Sequence, residues 1–197
     1  MVKERQLIPF FDSAYLGFGA GIEKDAYAIR LFARAGIPAL VSTSFSKNFS
    51  LYGERIGALS VLCGSEAEAT RVHGQLKAVI RSTYSSPPRL GAELVAKVLA
   101  DPQLKSIWIE EVDVMRAQIV EVRAGLRDAL EEKRPDYDFS FLVQQRGMFS
   151  YTDLTAQQVT HLKEDHGVYL ISNGRLCLAG LTAQNISRVA DVIAKYL

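Results

Sequence analysis

Residues 42–57, STSFSKNFSLYGERIG, place one amine, that of Lys47, among four serines and a threonine, with Arg55 eight residues further along the chain. The stretch directly follows the apolar residues 39–41, so its hydroxyl groups come at the end of a predicted strand. A polar loop between two strands is the simplest interpretation of a serine-rich turn. The neighbouring segments decide whether the amine and the hydroxyls also form a binding site.

The composition of the 197-residue chain is that of an ordinary globular protein, with 48% hydrophobic and 23% charged residues. Its net charge of +1 gives no electrostatic basis for binding nucleic acid or an anionic membrane. No apolar run approaches the roughly 20 residues that cross a bilayer, and the N-terminus lacks a signal-peptide pattern. Cys63 and Cys177 lie in apolar runs, so we expect buried, reduced thiols in a cytoplasmic protein. The three histidines have no paired spacing with cysteine or acid, and no metal site is expected.

Strands and helices alternate in the first part of the chain. Short apolar runs predict strands at Leu7–Phe11, at 39–41 and at Ile56–Cys63, with one helix between the first two. This alternation is typical of crossover units in a mainly parallel α/β sheet, although an antiparallel hairpin of the last two strands also fits. Residues 66–134 carry a helical pattern, which the turn SSPP and a later Asp-Pro pair divide into three helices.

The last part of the chain changes to short strands and two helices. The strand-like runs are FSFLV, GMFSYT, GVYLI and RLCLAGL. Helices are predicted at Thr155–Asp165 and Asn185–Leu197. We therefore expect an α/β domain over residues 1–114 and a smaller α+β domain over residues 115–197, with the boundary inside the long helix.

Polar side chains follow two of the predicted strands. Asp12 comes directly after the first strand, and the Ser44–Lys47 cluster follows the second. Ligands of open α/β sheets bind beyond the carboxyl ends of the strands, so we expect an acid and an amine at one edge of the sheet. A turn or helix cap is the alternative role for a strand-end aspartate.

The residue types at this edge suit one kind of ligand. Arg55 with Ser44 and Ser46 offers a cation and hydroxyl donors for a phosphate dianion. Lys47 can form a Schiff base with a carbonyl, and Asp12 can pair with a protonated ring nitrogen. Phosphate, aldehyde and pyridinium occur together in pyridoxal 5′-phosphate, abbreviated PLP below.

Five segments extend this match to a family pattern. In chain order they are FFDSAYLGFGAG, SFSKNFSLYGERIG, IRSTYSSPP, RGMFSYT and NGRLCLAGL. Their order and spacing resemble the class I, fold-type I PLP-dependent aminotransferases, above all the bacterial aromatic amino-acid (tyrosine) enzymes and next the aspartate aminotransferases. The resemblance runs from about Val2 to Leu197. It implies part of the mainly parallel large-domain sheet with its helices, followed by the small α+β domain.

The resemblance implies three roles at the reacting end of the cofactor. Lys47 would carry PLP covalently and then move a proton between the amino acid Cα and the cofactor C4′. Asp12 would keep the pyridine nitrogen protonated, so that the ring can accept electrons from Cα. Tyr15 would hydrogen-bond the cofactor phenolate.

The same resemblance implies how the phosphate is held. Ser44, Ser46 and Arg55 would bind the phosphate of the chain's own cofactor. Tyr52 would reach the phosphate of the partner subunit's cofactor, which makes a homodimer part of the site.

Substrate-binding residues follow from the resemblance as well. Arg175 would grip the substrate α-carboxylate with its planar fork. Arg81 would serve the distal carboxylate of glutamate or aspartate across the dimer interface, and Tyr84 and Phe149 would line the same region. A surface position is the alternative for each arginine, and core packing is the alternative for both aromatic residues.

The reaction implied by the resemblance is transfer of the amino group of tyrosine or phenylalanine to 2-oxoglutarate. Aspartate-preferring enzymes usually carry asparagine at the position of Ser86, which favours the aromatic group; an aspartate aminotransferase is the alternative. Leu16 stands where both groups usually have glutamine. We expect this departure to alter local hydrogen bonding near Tyr15 without abolishing binding.

Family members are about twice as long as this chain, which resembles only their C-terminal half. The other half would supply the aromatic ring stacked on the cofactor, an asparagine to its phenolate oxygen and several strands. We therefore expect a truncated reading frame or a domain-sized piece with weak or no transaminase activity alone. A non-catalytic remnant that associates with a full-length homologue is the alternative.

Overall fold

Two units make up the chain, which a computed structural model describes over residues 1–197. The first consists of Met1–Gly17 with Gly21–Val112, and the second of Phe18–Ala20 with Asp113–Leu197. The domain boundary predicted inside the long helix stays a prediction.

A three-stranded sheet forms the centre of the first unit. β1 (Phe10–Ser13) pairs in parallel with β2 (Ala39–Ser44), and β2 pairs antiparallel with β3 (Gly57–Leu62). The sheet is therefore mixed, with a crossover connection first and the hairpin pairing second. The parallel register places Asp12 beside Ser42, at the end of the sheet where β2 leads into the serine-rich loop.

The first strand begins and ends later than the apolar run predicts. Leu7–Pro9 precede it, because a proline has no N–H to donate to the ladder. Pairing with β2 then carries the strand through Asp12 to Ser13. Asp12 therefore lies within the strand rather than after it.

Helices account for most of the remaining first unit, and the last of them continues into the second unit. Their bounds are Ile22–Asp25 for α1, Tyr27–Arg34 for α2, Glu66–Tyr84 for α3, Leu90–Ala100 for α4 and Pro102–Lys133 for α5. The single helix predicted between the first two strands is interrupted at Ala26 and forms two helices. Ser65 and Asp101 cap α3 and α5, because their side chains accept backbone hydrogen bonds from the first turn. No helix combines the length and hydrophobicity that a bilayer crossing requires.

The second unit combines the end of α5 with short strands and helices. After α5 come α6 (Ser140–Gln144), β4 (Phe149–Tyr151), α7 (Ala156–His166), β5 (Arg175–Cys177), a 3-10 turn (Leu178–Gly180) and α8 (Ile186–Ala194). β4 and β5 pair antiparallel, with Phe149 opposite Cys177 and Tyr151 opposite Arg175.

Two predicted strands of this unit are wrong. FSFLV enters α6, because Phe139 and Leu142 lie three residues apart and are both buried, a spacing that suits a helix. GVYLI has no strand pairing. Gly167 at its start adopts a left-handed conformation, with φ 62°, and ends α7.

The prediction of two buried thiols is wrong for Cys177. Its side chain is exposed because it alternates with the buried Leu176 along β5. Cys63 is half-buried, and both residues are free thiols.

Buried apolar side chains are distributed unequally between the units. The core of the second unit contains 17 buried residues, whereas the first unit buries only Ala39, Val41, Val95 and Val112. β3 is exposed from Gly57 to Ser60, and α3 contains no buried residue. The first unit therefore presents much of its sheet and helix surface to solvent.

Candidate functional site

The loop of residues 45–56, called the lysine loop below, connects β2 to β3 and is closed by main-chain contacts. Phe45 N donates a hydrogen bond to Ile56 O at 3.0 Å. At the start of β3, a Cβ atom on Gly57 would lie 2.8 Å from Thr43 O, so only glycine allows the strands to approach this closely. The loop that carries Lys47 therefore has a fixed width at its base.

The amine of Lys47 lies against two tyrosine rings. Its Nζ atom is 4.5 Å from the ring centroid of Tyr15 and 5.8 Å from that of Tyr52. Tyr15 follows β1 and Tyr52 follows Lys47 in the loop, so three predicted site residues come together. A cation–π contact at an exposed position stabilises by about 0.5–1 kcal/mol, which favours this placement of the amine.

Two serine hydroxyls lie close to each other in the same loop. Ser44 Oγ donates a hydrogen bond to Ser46 Oγ at 3.0 Å and accepts one from Ser46 N at 3.2 Å. Arg55, on the returning side of the loop, is exposed and donates from Nη1 to Tyr52 O at 3.0 Å. Its backbone φ of 56° lies in the left-handed region, which non-glycine residues rarely adopt and which is found frequently at binding sites.

Asp12 lies on the neighbouring strand. Ser42 Oγ donates a hydrogen bond to Asp12 Oδ1 at 3.4 Å, and the two residues are partners in the parallel register. This cross-strand contact differs from the turn or helix cap that a strand-end aspartate more commonly forms. Since β1 and β2 run in the same direction, Asp12 and the lysine loop lie at the same end of the sheet.

The donor set at this end of the sheet fits PLP. The cofactor requires an amine for its aldehyde, an acid for its ring nitrogen, and hydroxyl and cationic donors for its phosphate. Lys47 and Asp12 supply the amine and the acid. The hydroxyls of Ser44 and Ser46 and the guanidinium of Arg55 are donors of the kind that a phosphate accepts.

Arg81 and Tyr84 lie in the last turn of α3 and are exposed. Arg81 Nη1 donates a hydrogen bond to Ser85 Oγ at 2.6 Å. Tyr84 is 55% exposed, so it is not a core residue of this chain. Both side chains are therefore accessible at the surface of this chain.

Arg175 and Phe149 lie together in the second unit. The Arg175 Cζ atom is 4.6 Å from the centroid of the Phe149 ring. Arg175 is half-buried, and its Nε atom is buried without a hydrogen-bond partner. A carboxylate would satisfy such a donor, because its two oxygens accept parallel hydrogen bonds from two N–H groups on one edge of the guanidinium.

Arg123 is a residue of this region that the motifs do not indicate. It is 4% exposed, and burial lowers the pKa of its guanidinium. Nη1 donates to Leu142 O at 2.7 Å and to Ser150 Oγ. Nη2 donates to Gly147 O at 2.7 Å and to Phe149 O at 3.0 Å. Arg123 therefore fixes the strand that carries Phe149 beneath Arg175.

One sequence signal could have identified Arg123. It lies four residues after Ile119 and three before Leu126, so a charged residue occupies the buried face of α5. An arginine on such a face requires acceptors from elsewhere in the fold.

Comparison with known proteins identifies the family. The family model "Aminotransferase class I and II" matches residues 1–193. The aromatic-amino-acid aminotransferase of Escherichia coli (strain K12) is 57% identical over 194 residues, which cover 98% of this chain and 49% of that protein. The aspartate aminotransferase of Pseudomonas aeruginosa is 47% identical over 197 residues, which cover 100% of this chain and 50% of that protein.

Solved structures agree with this result. The crystal structure of the Burkholderia pseudomallei aromatic-amino-acid aminotransferase, covalently bound to pyridoxal phosphate, matches with a TM-score of 0.95 and 52% identity, covering 100% of this chain and 49% of that one. The chain spans about half the length of the curated relatives it matches. The predicted resemblance and the α/β architecture of fold-type I aminotransferases are thus confirmed. The chain belongs to the class I and II aminotransferase family.

Proposed function

We propose that this chain carries the lysine-bearing part of a PLP-dependent aminotransferase that moves the amino group of tyrosine or phenylalanine to 2-oxoglutarate. The observation that carries the proposal is the position of the Lys47 amine, 4.5 Å from the Tyr15 ring, at the end of the sheet that holds Asp12. The 57% identity to an aromatic-amino-acid aminotransferase and the serine at position 86 support the aromatic preference.

Lys47 has two tasks in the proposed reaction. When bound, PLP withdraws electrons from the bonds to the amino acid Cα. The Nζ atom of Lys47 would hold the cofactor aldehyde and, after the substrate amine has displaced it, would take the Cα proton as general base. The Tyr15 ring would hold Nζ while the amine is protonated, because a cation–π contact requires the charge. The Tyr15 hydroxyl would hydrogen-bond the cofactor phenolate.

Asp12 and the phosphate-binding residues orient the cofactor. The Asp12 carboxylate would favour a proton on the ring nitrogen of bound PLP, because an opposite charge stabilises the protonated form. Ser44, Ser46 and Arg55 would donate hydrogen bonds to the phosphate. These contacts fix the two ends of the ring relative to Lys47.

Arg175 binds the α-carboxylate of the substrate, and its unpartnered Nε atom supports that assignment. Phe149 supports the guanidinium from below. Tyr52, Arg81 and Tyr84 are assigned to contacts across a homodimer, which their exposure in this chain supports.

Two other functions have specific support. The match to an aspartate aminotransferase over the whole chain supports aspartate as the amino donor. The small core of the first unit supports a non-catalytic remnant that associates with a full-length homologue.

One experiment separates these functions. The chain is co-expressed with the half of the Escherichia coli aromatic enzyme that it does not match, and the complex receives PLP, 2-oxoglutarate and either tyrosine or aspartate. We expect 4-hydroxyphenylpyruvate from tyrosine to form faster than oxaloacetate from aspartate, and Lys47→Ala to abolish both. Faster oxaloacetate formation would establish the aspartate alternative, and a folded complex with no turnover would establish the remnant.

A further inference from the structure

The segment of Lys47 and the segment of Tyr15 are joined by a partly buried hydrogen bond. Asn48 Nδ2 donates to Leu16 O at 3.3 Å. This bond links the residue after Lys47 to the residue after Tyr15, next to the contact between the amine and the ring. It uses the main chain of Leu16, so it does not depend on the side chain at that position.

A second bond holds Asn48 from the other side. Trp108 on α5 donates from Nε1 to Asn48 O at 2.7 Å. Its indole stacks on the ring of Phe49, with the centroids 4.7 Å apart and the planes 23° apart. The chain directly after Lys47 is therefore held at three points: the Asn48 amide, the Asn48 carbonyl and the Phe49 ring.

Packing alone does not explain an asparagine at position 48. It is 3% exposed, and its Oδ1 atom is buried without a hydrogen-bond partner. An apolar side chain of similar size would bury no unsatisfied acceptor. The amide therefore serves a purpose other than stability. Its hydrogen bond to Leu16 O indicates that this purpose is to hold the segment of Lys47 against the segment of Tyr15.

We propose that Asn48 and Trp108 form a clamp that positions the Lys47 amine against Tyr15, as positioning residues for the reaction. The proposal deepens, and rests on, the assignment of Lys47 as the PLP-binding lysine. Neither residue is assigned to touch the cofactor. Their effect on chemistry passes through the position of Nζ, to which catalysis by proximity is sensitive.

The clamp is tested first without any cofactor. A ring close to Nζ shifts the NMR signals of the Lys47 ε-methylene protons upfield. We expect Asn48→Leu and Asn48→Asp to remove most of that shift, because neither side chain can donate to Leu16 O. Unfolding followed by circular dichroism should show little change in stability for Asn48→Leu, because the lost bond to Leu16 O is offset by removal of the buried, unpartnered Oδ1 atom. A purely structural role for the amide would instead give a clear loss of stability.

Trp108→Phe provides a second variant, since phenylalanine keeps the stacking on Phe49 and loses only the N–H donor. Ile107→Ala is the matched control, as Ile107 is the exposed neighbour on the same helix. We expect Trp108→Phe to reduce the upfield shift and Ile107→Ala to leave it unchanged. An upfield shift that is unchanged in Asn48→Leu, Asn48→Asp and Trp108→Phe would overturn the clamp.

A second readout connects the clamp to the cofactor. The chain is treated with PLP and borohydride, and labelling of Lys47 is compared with that of the exposed Lys77 by peptide mass mapping. We expect Asn48→Leu to lower the Lys47 to Lys77 ratio roughly tenfold or more, because small displacements of a reacting group have large effects on rate. A wild-type ratio near one would contradict the proposed function, while the NMR shift would still decide the clamp.

Discussion

The ring of Phe149 lies beneath the guanidinium of Arg175, with 4.6 Å between the ring centroid and Cζ. The two residues belong to paired strands, where Tyr151 is the direct partner of Arg175. Stacking occupies one face of the guanidinium and leaves its edges for hydrogen bonds. This arrangement suits an arginine that binds a planar carboxylate.

Arg175→Lys tests that arrangement. A lysine keeps the charge but cannot form two parallel hydrogen bonds to a carboxylate. We expect affinity for 3-phenylpropionate to fall roughly tenfold or more, measured by NMR titration of the chain. Arg146→Lys, an exposed arginine before β4, is the control and should bind like the wild type. Equal affinities for both variants would argue against a carboxylate site at Arg175.

Arg123 should be essential for the stability of the second unit. Arg123→Met leaves the buried carbonyl of Leu142 and the partly buried carbonyls of Gly147 and Phe149 without their donor. We expect the free energy of unfolding in urea to fall by about 3 kcal/mol or more, since each unsatisfied buried group costs about 1–3 kcal/mol. Arg127→Met, on the same helix with an exposed ion pair to Asp128, should change stability little. Similar small effects in both variants would contradict this account of Arg123.

Sequence patterns could bring the candidate cofactor residues together because the signals are local. A buried strand followed by hydroxyls and an amine indicates a strand end, and the parallel relation of β1 and β2 brings Asp12 to the same end as Ser44. The starts of α3 and α5 could be predicted because Ser65 and Asp101 lie next to the backbone groups that they cap.

Features that depend on distant contacts could not be predicted in this way. The acceptors of Arg123 come from residues 142–150, which no helical pattern around residue 123 reveals. FSFLV has the composition of a strand, and only the burial of Phe139 and Leu142 makes it helical. The Asn48 bond to Leu16 spans 32 residues and has no local signature.

Stability of the second unit should depend on the charge of Asp138. Ser140 N donates to Asp138 Oδ1 at 2.8 Å, and this hydrogen bond lowers the pKa of the carboxyl. A carboxyl with a lowered folded-state pKa stabilises the protein above its unfolded pKa of about 4, and this contribution is lost as the pH falls through the folded pKa. We expect Asp138→Asn to be less stable than the wild type at pH 7 and to approach it at pH 3 in urea unfolding. A difference that stays constant between these pH values would contradict the prediction.

The isolated chain should have weak or no transaminase activity. Its first unit buries only four apolar side chains, exposes most of β3 and buries no residue of α3. The sheet that carries the lysine loop therefore has few packing contacts to stabilise it. We expect 4-hydroxyphenylpyruvate formation to rise strongly when the unmatched half of the Escherichia coli relative is supplied as a second polypeptide. Turnover by the chain alone at the rate of a full-length relative would refute this prediction.

Borohydride reduction followed by peptide mass mapping tests whether Lys47 captures PLP covalently. We expect one dominant pyridoxyl label, on the peptide that contains Lys47, and its loss in Lys47→Ala. A dominant label on another lysine, or no label even when the unmatched half of a relative is supplied, would contradict it.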